Sequence, residues 1–457
     1  MLSSRARALV GGLALLAVLR LWAVGAAGLG DDEAYYWLWS KRLALGYFDH
    51  PGGIAWLIRG CTEVVGSHPL GTRLPVVVAG FLLAWMLGES VEPEHRPAAI
   101  LLGLLVPVFG LLGVFASPDM PFLVAWFVTV RCAEGLLRGA TRAHWLMLGA
   151  GLGATMLFKI TGVLLGAGLL VWSLVDRDRR RWWATSGPWW ALASAVVVSA
   201  PTWGWNAAHG FPTLWFHAVE RHSHAVSPLA GGAVWLAVHV LLLTPPLMWA
   251  VLAARATPRG RMLMWIAAPT WLVFTAAAFV APTKLHWWAP AWLTVLPAAI
   301  PILNRHRRWM NATLLVSGGL HVSVLALAAY PPLPLAGLTA QLRGWDGLVE
   351  RLVADHPDAV AWTTNRYQAA AQLAFAARDR AHPPIRRVGG REDQFTVWHA
   401  DSMPTDGPIL VVCAPHLPCT TGDFEGLVCD AEITAPVLLL EGRAQRDFQV
   451  WRCSSLP

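Results

Sequence analysis

Charge is scarce in this sequence. Of 457 residues only 14% are Asp, Glu, Lys or Arg, about half the share of an average soluble domain, while 56% are apolar. So little charge excludes an ordinary soluble globule. Lysine is scarcer still, with only Lys41, Lys159 and Lys284 against 32 arginines. The net charge of +7 comes without any basic run that interleaves aromatics or carries a nucleic-acid motif, which excludes nucleic acid as a partner. Heptads, long repeats and low-complexity tracts are also missing. No CxxC pair occurs among the six cysteines, so a zinc knuckle is a weak reading.

What is abundant is apolar sequence in blocks, each long enough to cross a hydrocarbon core of about 30 Å as a helix. Eleven spans are expected, near 8–27, 72–88, 98–115, 121–137, 145–158, 160–175, 188–205, 232–252, 262–281, 287–303 and 312–330. The fold class that follows is an α-helical polytopic membrane protein. Many of the 27 tryptophans flank the blocks, where headgroup belts favour amphipathic rings. Alternate connections hold the arginines, as in Arg177, Arg179, Arg180 and Arg181, or Arg305, Arg307 and Arg308. By the positive-inside rule those loops are cytoplasmic, and the N-terminus with them. Segments 28–71, 116–120, the turn at Lys159, 206–231, 282–286 and everything from 331 onward are then expected outside. The first apolar block is read as an uncleaved helix rather than a secretion signal.

Composition changes near residue 330. Residues 331–457 carry 15 acidic and 11 basic residues, whereas 1–330 carry 13 and 24. The expectation is a transmembrane domain over 1–330, with a first outward loop at 28–71, followed by a small extracytoplasmic α/β domain over 331–457. Helices are expected over 345–355 and 365–377, and strands over 359–363, 395–398, 409–413 and 435–440. Cys413, Cys419, Cys429 and Cys453 lie here, and an oxidising compartment would pair them in any of three ways. Cys61 and Cys132 read as plain buried thiols.

Candidate chemistry gathers in the outward segments. The first loop reads Gly30-Asp31-Asp32-Glu33-Ala34-Tyr35-Tyr36-Trp37-Leu38-Trp39, then Gly46-Tyr47-Phe48-Asp49-His50-Pro51-Gly52-Gly53. Three adjacent carboxylates repel one another, which suits a general base, and acids at that spacing also cap a helix. Ser117-Pro118-Asp119 sets a second carboxylate on the same side. All three lysines fall outward, against the topological bias. Ammonium groups there suit phosphate, and Lys284 is followed by His286 at a helix start. His217 with Arg221, His222 and His224 forms a further basic group.

Taken together these segments resemble the bacterial relatives of the dolichyl-phosphate-mannose protein mannosyltransferases, in the GT-C superfamily that also holds the lipid A aminoarabinose transferase. The resemblance rests on Asp32-Glu33-Ala34-Tyr35-Tyr36 through Tyr47-Phe48-Asp49-His50-Pro51, on Ser117-Pro118-Asp119, and on Phe158-Lys159-Ile160-Thr161-Gly162. It extends to Lys284-Leu285-His286-Trp287-Trp288-Ala289-Pro290-Ala291, Tyr367-Gln368 and Asp393-Gln394-Phe395.

It implies transfer of a sugar from a polyprenyl-phosphate donor to an outward lipid, glycan or protein acceptor, usually with inversion. Asp32 is then the general base, with Asp31 as its rival, and Glu33 and Asp119 orient the acceptor or hold the base's surroundings. Lys284, His286 and Lys159 meet the departing phosphate. Asp31, Tyr35, Tyr36, Tyr47, Asp49 and His50 line the substrate. No cofactor is required, and a divalent metal is compatible with the acids. Where relatives often carry a second proline, this chain has Gly52-Gly53, which is expected to loosen the loop. A lipid or sugar transporter is the competing class, on the strength of prolines such as Pro245, Pro246, Pro269 and Pro297. A non-catalytic scaffold is the third.

Overall fold

The computed structural model describes residues 4–218, 226–330, 341–398, 404, 406–424, 426–438 and 445–455. Each expected apolar block is helical. In chain order the helices are α1 (Ser4–Ala26), α2 (Asp31–Lys41), α3 (Gly53–Val65), α4 (Pro69–Glu89), α5 (Arg96–Leu105), α6 (Pro107–Leu112), α7 (Asp119–Leu136) and α8 (Arg142–Met156). They continue with α9 (Val163–Val175), α10 (Gly187–Ala208), α11 (Pro212–Ala218), α12 (Pro228–Leu243), α13 (Pro245–Ala253), α14 (Pro258–Ala278), α15 (Ala289–Arg305) and α16 (Arg307–Ala329).

The block at 98–115 breaks between α5 and α6, where Pro107 removes a donor. The block at 232–252 bends by 93° between α12 and α13 at Thr244, whose φ of 69° precedes Pro245 and Pro246. By length and apolarity alone, α4, α14 and α16 qualify as single spans among the described residues. The expected eleven therefore include helices that are broken, short or interrupted by proline, and only their helical character is settled. The protein is a multi-pass helical membrane protein.

The chain divides into two compact units. The first comprises 1–20, 44–57 and 73–323, and the second 21–43, 58–72 and 324–457. The first unit is the helical bulk. In it α8 and α10 meet where Gly149 and Gly153, one turn apart, oppose the Ala191 and Ala195 backbone: a Cβ at these two positions would lie 2.0 and 2.6 Å from those carbonyl oxygens. Small residues at this spacing let membrane helices approach closely.

The second unit holds α17 (Trp345–Asp355), α18 (Tyr367–Ala376), α19 (Gln394–Trp398) and five strands: β1 (Ala361–Thr364), β2 (Ile385–Arg387), β3 (Ile409–Cys413), β4 (Leu427–Leu438) and β5 (Gln445–Ser455). Their order is β2-β1-β3-β5-β4, parallel at β2-β1-β3 and antiparallel from β3 onward. Alternation along β3 puts Leu410 and Val412 in a core with Trp345, Leu348 and Phe448, and Val411 and Cys413 on the other face with Trp451. The cysteines pair as Cys413–Cys419 and Cys429–Cys453.

One expected strand is a helix. Residues 395–398 hold β-forming side chains, but the Asp393 carboxylate accepts the Phe395 amide at 2.8 Å and the Asp393 carbonyl accepts that of Thr396. This capping chemistry starts α19 and overrides propensity. Sequence reading also missed β2 and β5. Residues 439–440 of the expected last strand lie outside the described residues.

Candidate active site

The second unit is built around the acidic helix. Three acids at the start of α2 and Lys41 at its end suit the helix dipole. Their carboxylates have distinct partners. Glu33, 4% exposed, accepts the Gly30 amide at 2.7 Å and so caps its own helix. Asp31 accepts from Gln372 Nε2 at 3.0 Å, and its second oxygen lies 3.0 Å from His416 Nε2. Gln372 Nε2 also reaches the Leu29 carbonyl at 2.8 Å, pinning the chain just before the helix. Asp32 Oδ1 accepts the Tyr367 hydroxyl at 3.0 Å.

Both C-terminal segments singled out in the sequence thus touch this helix. Tyr367 reaches Asp32, and the Gln394 amide donates to the Tyr35 hydroxyl at 2.7 Å. Tyr35, 1% exposed, stacks between Tyr367 and Phe395 with ring centroids at 4.4 and 6.0 Å. Tyr36 is likewise buried, against Trp39. Both tyrosines fill the interior of this unit rather than an open surface.

A recess of about 760 Å³ lies in the same unit, lined by Lys41, Arg42, Arg378 and Arg386 with the rings of Trp37 and Trp398. Asp379 is the acid among its lining residues. Lys41 sits 5.3 Å from the Trp37 ring and Arg42 4.9 Å from the Trp398 ring. Burial, then the nearby Arg386 charge, lowers the Arg42 pKa. Sequence reading flagged Lys41 alone: Arg42 is its neighbour in the chain, but Arg378 and Arg386, which complete the basic lining, lie more than 300 positions away.

In the first unit the segment 46–51 is a closed turn. Gly46 pairs with Pro51, and the Tyr47 amide donates to the His50 carbonyl at 3.0 Å. Tyr47 is fully buried and its hydroxyl accepts the Ala44 amide at 3.0 Å. Burial pushes this phenol up to about 12, against the downward pull of that hydrogen bond, so Tyr47 shapes the loop and does not exchange protons near neutrality. Thr213 Oγ1 donates to the Tyr47 carbonyl at 3.0 Å, and His217 Nε2 donates to that of Asp49 at 2.8 Å, with the His50 ring 5.3 Å from His217.

Gly52-Gly53 does not loosen this loop, contrary to the sequence expectation. The Gly53 amide donates to Leu157 O at 2.9 Å, and a Cβ there would lie 2.6 Å from that oxygen and 2.7 Å from the Phe158 ring. Glycine is needed for the close approach. Arg221, His222 and His224 lie outside the described residues.

Asp119 opens α7, with Ser117 Oγ accepting its amide at 3.3 Å. Lys159 occupies the extended residue between α8 and the turn Ile160–Gly162. Its Nζ donates to Asp119 Oδ1 at 2.7 Å, and His286 Nε2 is 3.4 Å from the same oxygen. Burial alone would raise the Asp119 pKa. The charges of His286 and Lys159 outweigh it, with His50 contributing, and hold the carboxyl well below the usual range.

These three groups line a cavity of about 270 Å³ whose remaining walls are largely apolar, among them Trp126, Leu164 and Phe274, with His217 also at its wall. A charged group beside an apolar chamber suits an amphiphile with an anionic head. Lys284 is exposed and is not among the lining residues. Among the described residues, no group of three His, Cys, Asp or Glu side chains is placed to hold a metal ion.

This helical arrangement aligns with ArnT from Cupriavidus metallidurans in its apo state, at a TM-score of 0.68 and 15% identity over 98% of both chains. This is a GT-C fold. The chain also aligns with the same protein bound to undecaprenyl phosphate, at a TM-score of 0.66 and 14% identity over 97% of both chains. Residues 49–205 match the family model described as dolichyl-phosphate-mannose-protein mannosyltransferase. The lipid A galacturonosyltransferase RgtD of Rhizobium johnstonii is 28% identical over 316 residues, which cover 64% of this chain and 65% of that protein. The chain thus spans just under two thirds of the curated relative it matches. The transporter reading has no counterpart among these matches.

Proposed function

We propose that this protein is an integral-membrane glycosyltransferase that moves a sugar from a polyprenyl monophosphate to a hydroxyl of an anionic glycolipid on the outer side of a bacterial plasma membrane. The observation that carries the reading is the Asp119–Lys159–His286 group lining an apolar cavity in a GT-C fold. A prenyl tail needs apolar walls, and its phosphate needs fixed cations.

In the proposed reaction Asp32 accepts the proton of the acceptor hydroxyl. The hydroxyl oxygen forms a bond to the anomeric carbon while the bond from that carbon to the phosphate oxygen breaks. The electron pair stays on that oxygen, giving polyprenyl monophosphate. One displacement assisted by one carboxylate inverts the anomeric centre. Tyr367 orients Asp32, while Asp31 and Glu33 hold the helix that carries it. Asp119 keeps Lys159 and His286 placed to meet the growing charge on the phosphate. Lys284 is read as an outer contact for the same group, and Asp49 and His50 as donor-side residues. For the acceptor, the basic, aromatic recess of the second unit and the lipid acceptor named for RgtD favour a phosphorylated sugar headgroup.

The test is lipid mass spectrometry of cells with and without the protein, followed by transfer assays in proteoliposomes. Loss of one glycosylated lipid names sugar and acceptor together. Asp32→Asn should reduce transfer by at least about 10²-fold, the usual contribution of a general base, with expression and donor binding retained. Full activity in that variant removes Asp32 as the base.

A further inference from the structure

The helix that begins at Asp119 carries a second ionic group near its other end. Glu134 lies fifteen residues further on, about 22 Å along the helix axis, at the opposite end of the helix from Asp119. Its side chain is 8% exposed and holds two arginines at once. Arg259 donates from Nε to Oε1 at 2.7 Å and from Nη2 to Oε2 at 3.3 Å, and Arg131 bonds the same Oε2. Arg259 is fixed further by the Ser90 carbonyl at 2.9 Å and the Pro297 carbonyl at 3.4 Å. One buried carboxylate therefore immobilises two guanidinium groups.

Ser90, Arg131, Glu134 and Arg259 line a recess of about 560 Å³, and Arg138, Asp176 and Arg179 line it too. Four guanidinium groups and two carboxylates line it, an excess of two positive charges around one concavity. Arg179 is incompletely satisfied. Its Nε is buried without a hydrogen-bond acceptor among the described residues, and the Asp176 carboxylate is 3.9 Å away. A buried N–H of a charged group left without an acceptor is costly, and an incoming anion would relieve it. Random topological arginines would be solvated singly. Here they surround a volume ample for a phosphodiester, with Leu137, Trp172 and Met262 in the same lining.

We infer that this recess is a binding site for the phosphate of an anionic phospholipid headgroup, separate from the donor and acceptor sites. A free anion would fit the charges equally. The apolar side chains among the arginines, and the position at the ends of membrane helices, favour a ligand whose remainder lies in the bilayer. Binding of this kind stabilises the folded protein by mass action.

The full-length protein, purified in detergent and stripped of lipid, is titrated with phosphatidylglycerol, with phosphatidylcholine, and with inorganic phosphate, following thermal unfolding and native mass spectrometry. The expected result is a rise in melting temperature and one retained lipid with phosphatidylglycerol only. In Arg138→Gln/Arg179→Gln the apparent affinity should fall at least fivefold. Should that double variant fold poorly, Arg138→Gln alone serves, with a smaller loss in the same direction. Equal stabilisation by phosphatidylcholine, an equal rise with inorganic phosphate, or undiminished lipid retention in the variants overturns the assignment.

Discussion

Asp119 shows how one residue can serve a site through its neighbours. A carboxylate this buried is tolerated only because Lys159 and His286 share its charge, and removing it strands the Lys159 ammonium. Asp119→Asn should therefore lower stability by about 3 kcal/mol at neutral pH, read as chemical denaturation of the detergent-solubilised protein. The pH dependence has a definite sign. A carboxyl whose folded pKa lies below its unfolded value stabilises fully above the latter, about 3.9 for Asp, and loses that contribution as pH falls through the folded value. Acid unfolding below about pH 4 should thus carry an Asp119 component that Asp119→Asn lacks. Tyr367→Phe removes one hydrogen bond to Asp32 and should slow transfer about tenfold with little change in donor affinity, while Tyr367→Ala also empties a stacked core. The acids themselves were legible in the sequence, because three adjacent carboxylates before an aromatic run are conspicuous. Their division of labour was not. It depends on Gln372, His416 and Tyr367, whose positions relative to α2 no local spacing encodes.

Helices and strands follow local rules more closely. The apolar blocks, α17 and β3 are where periodicity puts them, since each satisfies its own backbone or a neighbour with matching alternation. Misreadings occur where a short polar contact overrides propensity, as Asp393 does for α19, or where a helix break such as that at Thr244 divides one apolar block. Helix contacts offer a direct test of close approach. Gly149→Ala would set a methyl 2.0 Å from the Ala191 carbonyl and should cost about 1–3 kcal/mol by overpacking α8 against α10. Gly204→Ala in α10 meets nothing within 4 Å and should be neutral or stabilising by up to about 1 kcal/mol. Thermal unfolding of the two variants side by side separates steric contact from helix propensity.

At the scale of the whole molecule, composition alone separated an apolar bulk from a mildly acidic remainder near residue 330. It did not reveal that residues 21–43 and 58–72 belong with that remainder, because the membership is decided by side chains such as Gln372 and Tyr367. Disulfides secure the result. Cys429–Cys453 closes a separation of 24 residues, which contributes about 3 kcal/mol by restricting the unfolded chain. Reduction should lower the unfolding temperature of the second unit, and alkylation before reduction should mark only Cys61 and Cys132, read by peptide mass mapping. The way Asp31 and Asp32 are held has a consequence for biosynthesis. Their partners are 341, 385 and 335 positions downstream, so the ribosome delivers the acids long before anything that orients them. A nascent chain that has emerged through α16 still has Asp31 and Asp32 without these partners, and on the proposed mechanism a polypeptide truncated before Tyr367 should be inert. Translation order thus acts as a timer that leaves Asp32 unoriented until the last fifth or so of the protein is being made.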